Sequence, residues 1–125
     1  YQIERLKREQ TTFDIDSNSD FSKVVQFKQL IMEQFDQNLH INEIAKELGL
    51  SPKKLNALIK QYTSLTPASL IKEMKILEAK RMLASKSRSI KEIAYSLGFD
   101  QPTYFTKYFK KETTKTPKQF QELLP

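Results

Sequence analysis

The segment INEIAKELG, Ile41 to Gly49, returns as IKEIAYSLG, Ile90 to Gly98, with six of nine positions identical. In each copy the apolar residues (Ile41, Ile44, Ala45, Leu48; Ile90, Ile93, Ala94, Leu97) stand at i, i+3, i+4 and i+7, one face of a helix. The chain's two glycines, Gly49 and Gly98, close the copies. A glycine directly after such a stretch supplies the left-handed residue that ends a helix, so each copy reads as helix, sharp turn and second helix. A chain that does this twice is constrained to a pair of helix-turn-helix units.

The remaining elements follow from caps and periodicity. Ser19 or Asp20 caps a first helix whose stripe is Phe21, Val24, Lys28, Ile31, Met32 and Phe35, running to about Gln37. Ser51 followed by Pro52 opens a helix to about Thr63, with Leu55, Leu58, Ile59 and Tyr62 turned inward. Thr66 and Pro67 repeat that device and start a longer connecting helix to about Ser85, with Leu70, Ile71, Met74, Leu77 and Arg81 along one side. Ser89 and Glu92 have the spacing of a capping box, Asp100 is expected to cap the next helix, and Thr116-Pro117 opens a last short one. No alternating apolar segment asks for a strand. The expected fold is all-α: two helix-turn-helix subdomains joined by a long connecting helix, about seven helices in all. The divisions are residues 1–20 as tail and linker, 21–66 and 86–125 as the two subdomains, and 67–85 as connector.

Charge and composition narrow the function. The net charge is +6, yet residues 1–20 hold five acids against three bases, a net of −2, leaving 18 bases against 10 acids, or +8, on residues 21–125. A basic folded part favours a polyanionic partner, because lysines displace condensed counterions from nucleic acid. There is no cysteine, hence no disulfide or thiolate metal site, and no apolar run approaches the roughly 18 residues of a membrane span. No nucleophile–base pair or metal cluster can be assembled, and no cofactor is expected. The lone His40 aligns with Ser89 and is read as a helix-start residue, not a ligand.

The repeat continues past the turn. With one extra residue in the second turn, the offset moves from 49 to 50: Leu55 matches Phe105, Ile59 matches Phe109, Lys60 matches Lys110, and Thr66-Pro67 matches Thr116-Pro117. Opposite the buried stripe, Lys53, Asn56, Ala57 and Lys60 share one face, and adding 50 gives Thr103, Thr106, Lys107 and Lys110. In a helix-turn-helix the second helix enters the major groove and meets base edges with its exposed early turns. A solvated helix face would explain one such stripe; two equivalent stripes on a basic chain favour duplex DNA. Phe105 and Phe109 match Leu55 and Ile59, so these rings are read as core, not as a stacking platform for single strands. A connector of about 18 residues is roughly 27 Å long, comparable with the roughly 34 Å between successive major grooves on one face of DNA.

From about Phe21 to Leu124 the chain resembles the AraC/XylS-type transcription regulators. The most specific part is SIKEIAYSLGFDQPTYFTKYFKKETTKTP, where Ile93, Ala94, Gly98, Phe99, Tyr104, Phe105, Phe109, Lys110 and Pro117 stand as the family's motif has them. The resemblance implies sequence-specific binding to promoter operators, commonly with activation through RNA polymerase, and no enzymatic activity. It also implies an upstream effector or dimerisation domain, of which residues 1–20 would be the tail and linker, so that any oligomerisation lies N-terminal to this chain. A bacterial, cytoplasmic, nucleoid-associated location goes with that role. Lys53, Asn56, Ala57, Thr103, Thr106 and Lys107 are the expected base readers; Ser51, Lys54, Lys60, Gln101, Tyr104, Lys110 and Lys111 are the expected phosphate contacts. Ala57 and Lys107 stand where the family often has arginine, which changes the base preference, since arginine reads guanine bidentately and lysine offers a point charge. The other reading is a helical protein-interaction module whose basic face meets an acidic protein.

Overall fold

The computed structural model describes residues 19–37 and 39–125. Among them run seven helices: α1 (Asp20–Glu33), α2 (Ile41–Glu47), α3 (Pro52–Thr63), α4 (Pro67–Ser85), α5 (Ile90–Ser96), α6 (Pro102–Thr113) and α7 (Pro117–Glu122). No strand occurs among the described residues. The segment expected to be a tail and linker lies outside them, apart from Ser19 and Asp20.

Local chemistry sets the ends. Ser19, Ser51, Thr66, Ser89 and Thr116 each accept the amide N–H three residues on, satisfying donors that a helix start leaves orphaned. Both turns are the same object: the Leu50 N–H reaches the Ala45 carbonyl at 2.8 Å and the Phe99 N–H reaches that of Ala94 at 3.0 Å. Gly49 (φ +73°) and Gly98 (φ +88°) hold the left-handed residue that this closure requires. α3 and α6 also end left-handed, on Ser64 (φ 64°) and Thr114 (φ 70°), without a glycine. There Thr63 and Thr113 donate their hydroxyls back to Ile59 and Phe109.

Two apolar cores result. In the first, Val24, Phe27 and Ile31 of α1 meet Ile44, Ala45 and Leu48, then Leu55, Leu58 and Ile59 of α3, with Leu70 of α4. In the second, Ile76, Ala79 and Leu83 of α4 meet Ile93, Ala94 and Leu97, then Phe105 and Phe109 of α6. At about 100° per residue, Leu70, Ile71 and Met74 lie on one side of α4 while Ile76, Ala79 and Leu83 lie nearly opposite. The connector therefore changes its buried face midway.

That switch corrects the expected α4 stripe: Leu77 is 68% exposed and Arg81 is exposed, pairing with Glu78. On α1 the core face is Val24, Phe27 and Ile31; Phe21, Lys28 and Met32 face outward, and the helix stops at Glu33, not Gln37. Tyr62 is exposed as well, edge-on to Phe21. Asp100 does not cap α6; Gln101 holds that position and makes no capping side-chain bond, because the second turn is one residue longer than the first.

The two cores are tied by more than α4. Phe35, just after α1, packs against both. Its carbonyl and those of Asp36 lie against Gly98, where an added Cβ would sit 2.9 Å from the Phe35 oxygen.

Candidate nucleic-acid interface

α3 and α6 are the helices that follow the two turns. Each has 12 residues and a proline in its first turn, and their bounds differ by 50 residues throughout. Leu55, Leu58 and Ile59 anchor α3, while Phe105 and Phe109 anchor α6, so the opposite faces are fixed outward by burial. On α3, Lys53, Asn56, Ala57 and Lys60 are all exposed; on α6, Thr103, Lys107 and Lys110 are exposed and Thr106 is partly buried. The positions named from the repeat thus form one solvent-facing stripe on each helix.

Around each stripe stand the residues named as phosphate contacts. Ser51 and Lys54 lie at the start of α3, Gln101 and Tyr104 at the start of α6, and Lys111 beside Lys110, all exposed. The Ser51 hydroxyl oxygen accepts the Lys54 amide at 3.1 Å and keeps its own proton for an acceptor. Tyr104 is 56% exposed while its neighbour Phe105 is fully buried, which divides the aromatic run between surface and core. Tyr108 is half-buried against Phe99, and burial pushes its phenol up to about 12.

The charge on this face is one-signed. α3 carries Lys53, Lys54 and Lys60 and no acid; α6 carries Lys107, Lys110 and Lys111 with one acid, Glu112. Glu112 lies 3.5 Å from Lys72 of α4, so its charge is matched from the connector. Lysines fixed along two rigid helices present a surface that a polyanion neutralises with little ordering cost.

One position beside the stripes escaped the sequence reading. Gln61 is the counterpart of Lys111 at the offset of 50 and is exposed, so the repeat already held its signal. Lys75 is partly buried with its ammonium 5.0 Å from the Phe99 ring centroid, and burial lowers its pKa. It braces α4 against the second turn instead of facing solvent. His40 stands at the N-cap of α2 and makes no capping side-chain bond. Among the described residues, no three His, Cys, Asp or Glu side chains gather as a metal site, and no helix is long and apolar enough to cross a membrane.

Residues 44–123 match the model of a family described as a helix-turn-helix domain. Over 89 residues the chain is 37% identical to Histidine kinase P4 of Formosa agariphila, covering 71% of this chain and 6% of that one. It is 26% identical over 117 residues to the HTH-type transcriptional activator RhaS of Salmonella schwarzengrund, covering 94% of this chain and 42% of that one. The chain thus spans less than half the length of either relative. Among solved structures, an AraC-type DNA-binding transcriptional regulator from Chromobacterium violaceum superposes with a TM-score of 0.71 at 25% identity, covering 80% of this chain and 89% of that one. With its two matched turns, its paired outward helices and a family match that takes in α3 to α7, the chain belongs to the helix-turn-helix family of AraC-type DNA-binding domains.

Proposed function

We propose that the domain recognises a specific duplex operator through two adjacent major grooves, α3 in one and α6 in the next, as the output domain of a longer transcription regulator. The observation that carries this reading is the pair of equivalent, outward, acid-poor stripes on helices related by one offset. Lys53, Asn56, Ala57, Thr103, Thr106 and Lys107 read base edges; Ala57 offers its methyl to a thymine methyl. Ser51, Lys54, Lys60, Gln101, Tyr104, Lys110 and Lys111 hold phosphates and fix the register. The connector's 19 residues span about 28 Å, somewhat less than the roughly 34 Å between grooves, so the duplex bends toward the protein to engage both helices.

The rest of the proposal rests on the family and on the longer relatives. The domain acts by binding, not turnover, in the bacterial cytoplasm at the nucleoid. It activates transcription through contact with RNA polymerase, and any self-association is supplied by a region N-terminal to this chain. Selection from random duplexes followed by hydroxyl-radical footprinting tests the core of this. Two protected major-groove segments about one helical turn apart are expected. A single protected segment, or equal affinity for selected and random DNA, would remove the two-groove reading. Binding only to an acidic protein, with none to duplex at low salt, would favour the interaction-module alternative.

A further inference from the structure

The duplication reaches further back than the two turns, into the helices that precede them. The core residues Val24, Phe27 and Ile31 of α1 stand at i, i+3 and i+7, and Ile76, Ala79 and Leu83 of α4 repeat that spacing 52 residues on. At the same offset Lys23 meets Lys75, Lys28 meets Lys80, and exposed Val25 meets exposed Leu77. The second half of α4 therefore serves α5 and α6 as α1 serves α2 and α3. Most lysines among the described residues are exposed, but Lys23 and Lys75 are partly buried, and each reaches the turn of its own unit. The Lys23 ammonium donates to the Leu48 carbonyl at 2.8 Å, at the end of α2, where a helix leaves carbonyls unpaired and favours a cation. The Lys75 ammonium lies 5.0 Å from the centre of the Phe99 ring. Phe99 stands where the first turn has Leu50, so the second lysine meets a ring face where the first meets a carbonyl.

Resting on the two-groove reading above, we propose that Lys23 and Lys75 are matched positioning residues: each holds its turn against the preceding helix and so fixes how the following recognition helix stands to the duplex. The path is short in both units. Leu48 and Leu50 flank Gly49, and Leu50 closes its turn on Ala45 one residue before Ser51 caps α3. Phe99 closes the second turn on Ala94, and its ring lies 5.4 Å from that of Phe105 and 5.2 Å from that of Tyr108, both on α6. Burial lowers the Lys75 pKa, the cost of holding a cation there, and the negative face of the ring offsets part of it. Neither lysine belongs to the outward stripes of α3 and α6, so both act on DNA through the turns they hold.

Lys23→Met and Lys75→Met, which keep the apolar stem and lose the charge, test this in the full chain beside Lys23→Arg and Lys75→Arg, which keep a cation. Far-ultraviolet dichroism verifies that the variants fold. Amide hydrogen exchange at Leu50 and Phe99 reads the turns without DNA. Lys23→Met is expected to speed exchange severalfold at Leu50 and not at Phe99, and Lys75→Met the reverse, with the arginine variants close to the parent. On DNA, each methionine variant is expected to lower the preference for selected over random duplex by about tenfold, the discrimination of one base contact, and to weaken the footprint in the groove of its own unit alone. Equal acceleration in both units would mark general destabilisation and overturn the proposal. Weakening of selected and random duplex by the same factor would overturn it too, since that is the signature of a direct phosphate contact. Unchanged exchange beside a parent that selects its operator would remove the positioning role and leave the two-groove reading standing. A parent that binds selected and random duplex alike would remove that reading, and the role in groove placement with it.

Discussion

Gly49 and Gly98 form a matched pair that isolates one tertiary contact. Both are left-handed, at φ +73° and +88°, so alanine at either carries the strain of an L residue there, about 1–2 kcal/mol. At Gly49 a new Cβ meets nothing within 4 Å. At Gly98 it meets the Phe35 carbonyl oxygen at 2.9 Å, the Asp36 carbonyl carbon at 3.2 Å and the Asp36 oxygen at 3.3 Å, all backbone. Backbone does not swing aside as a side chain does, and forcing an extra methyl into packed structure costs typically about 1–3 kcal/mol. Gly49→Ala is thus expected to destabilise by about 1–2 kcal/mol and Gly98→Ala by about 2–5 kcal/mol. Urea unfolding of both variants measures the difference. Destabilisation by equal amounts, within about 0.5 kcal/mol, would refute the contact between the α1–α2 loop and the second turn. Because Phe35 packs on both cores, Gly98→Ala is also expected to weaken selected DNA more than Gly49→Ala does, by altering how the two units are set.

Lys107→Ala should relax sequence preference at one position and cost about 1–3 kcal/mol on the best site, whereas Lys110→Ala should weaken all duplexes alike and reduce the salt slope by about one; equal effects of both on selected and random DNA would refute the assignment. Thr114→Gly relieves a β-branched residue at φ 70° and should stabilise by about 0.5–1 kcal/mol after the extra chain entropy of glycine, read as a higher urea midpoint. His40→Ser gives α2 the cap that Ser89 gives α5, with Glu43 already in the Glu92 position, and should add about 0.5–1 kcal/mol by the same measurement. Burial raises the Tyr108 phenol from 10.0 to about 12, so the neutral form is favoured on folding: its contribution is complete below pH 10 and is lost as pH climbs from 10 to 12. Tyr108→Phe should therefore lose less stability across that window than the parent chain, as followed by thermal melts.

Much of this architecture was legible because the chain writes its punctuation twice. Ser51-Pro52, Thr66-Pro67, Ser89 and Thr116-Pro117 are local signals whose chemistry acts within three residues, and the helices start at all four. The failures have a common physical source in contacts that are distant along the chain. Asp100 is a better intrinsic cap than Gln101, but the longer second turn moves the cap position one residue on. Leu77 fits the period of Leu70 and Met74, yet α4 turns to a different partner after Met74, and a single stripe cannot describe a helix with two cores. Phe27 escaped because Lys28 continued the same period. The outward stripes of α3 and α6 followed from the inward ones, which the duplication fixed; which bases they read depends on a partner that the chain does not encode.

α4 buries one side in the first core and nearly the opposite side in the second. It therefore acts as a keyed shaft whose two ends are cut at a set angle. A single residue inserted between Met74 and Ile76 would rotate everything beyond by about 100° and advance it by about 1.5 Å, breaking the seat of Phe35 and Asp36 on Gly98 that ties the two cores. The angular phase between the two reading helices is stored in the residue count of this stretch. A regulator of this kind can change which operator spacing it accepts by altering helix length, leaving every DNA-facing side chain as it was.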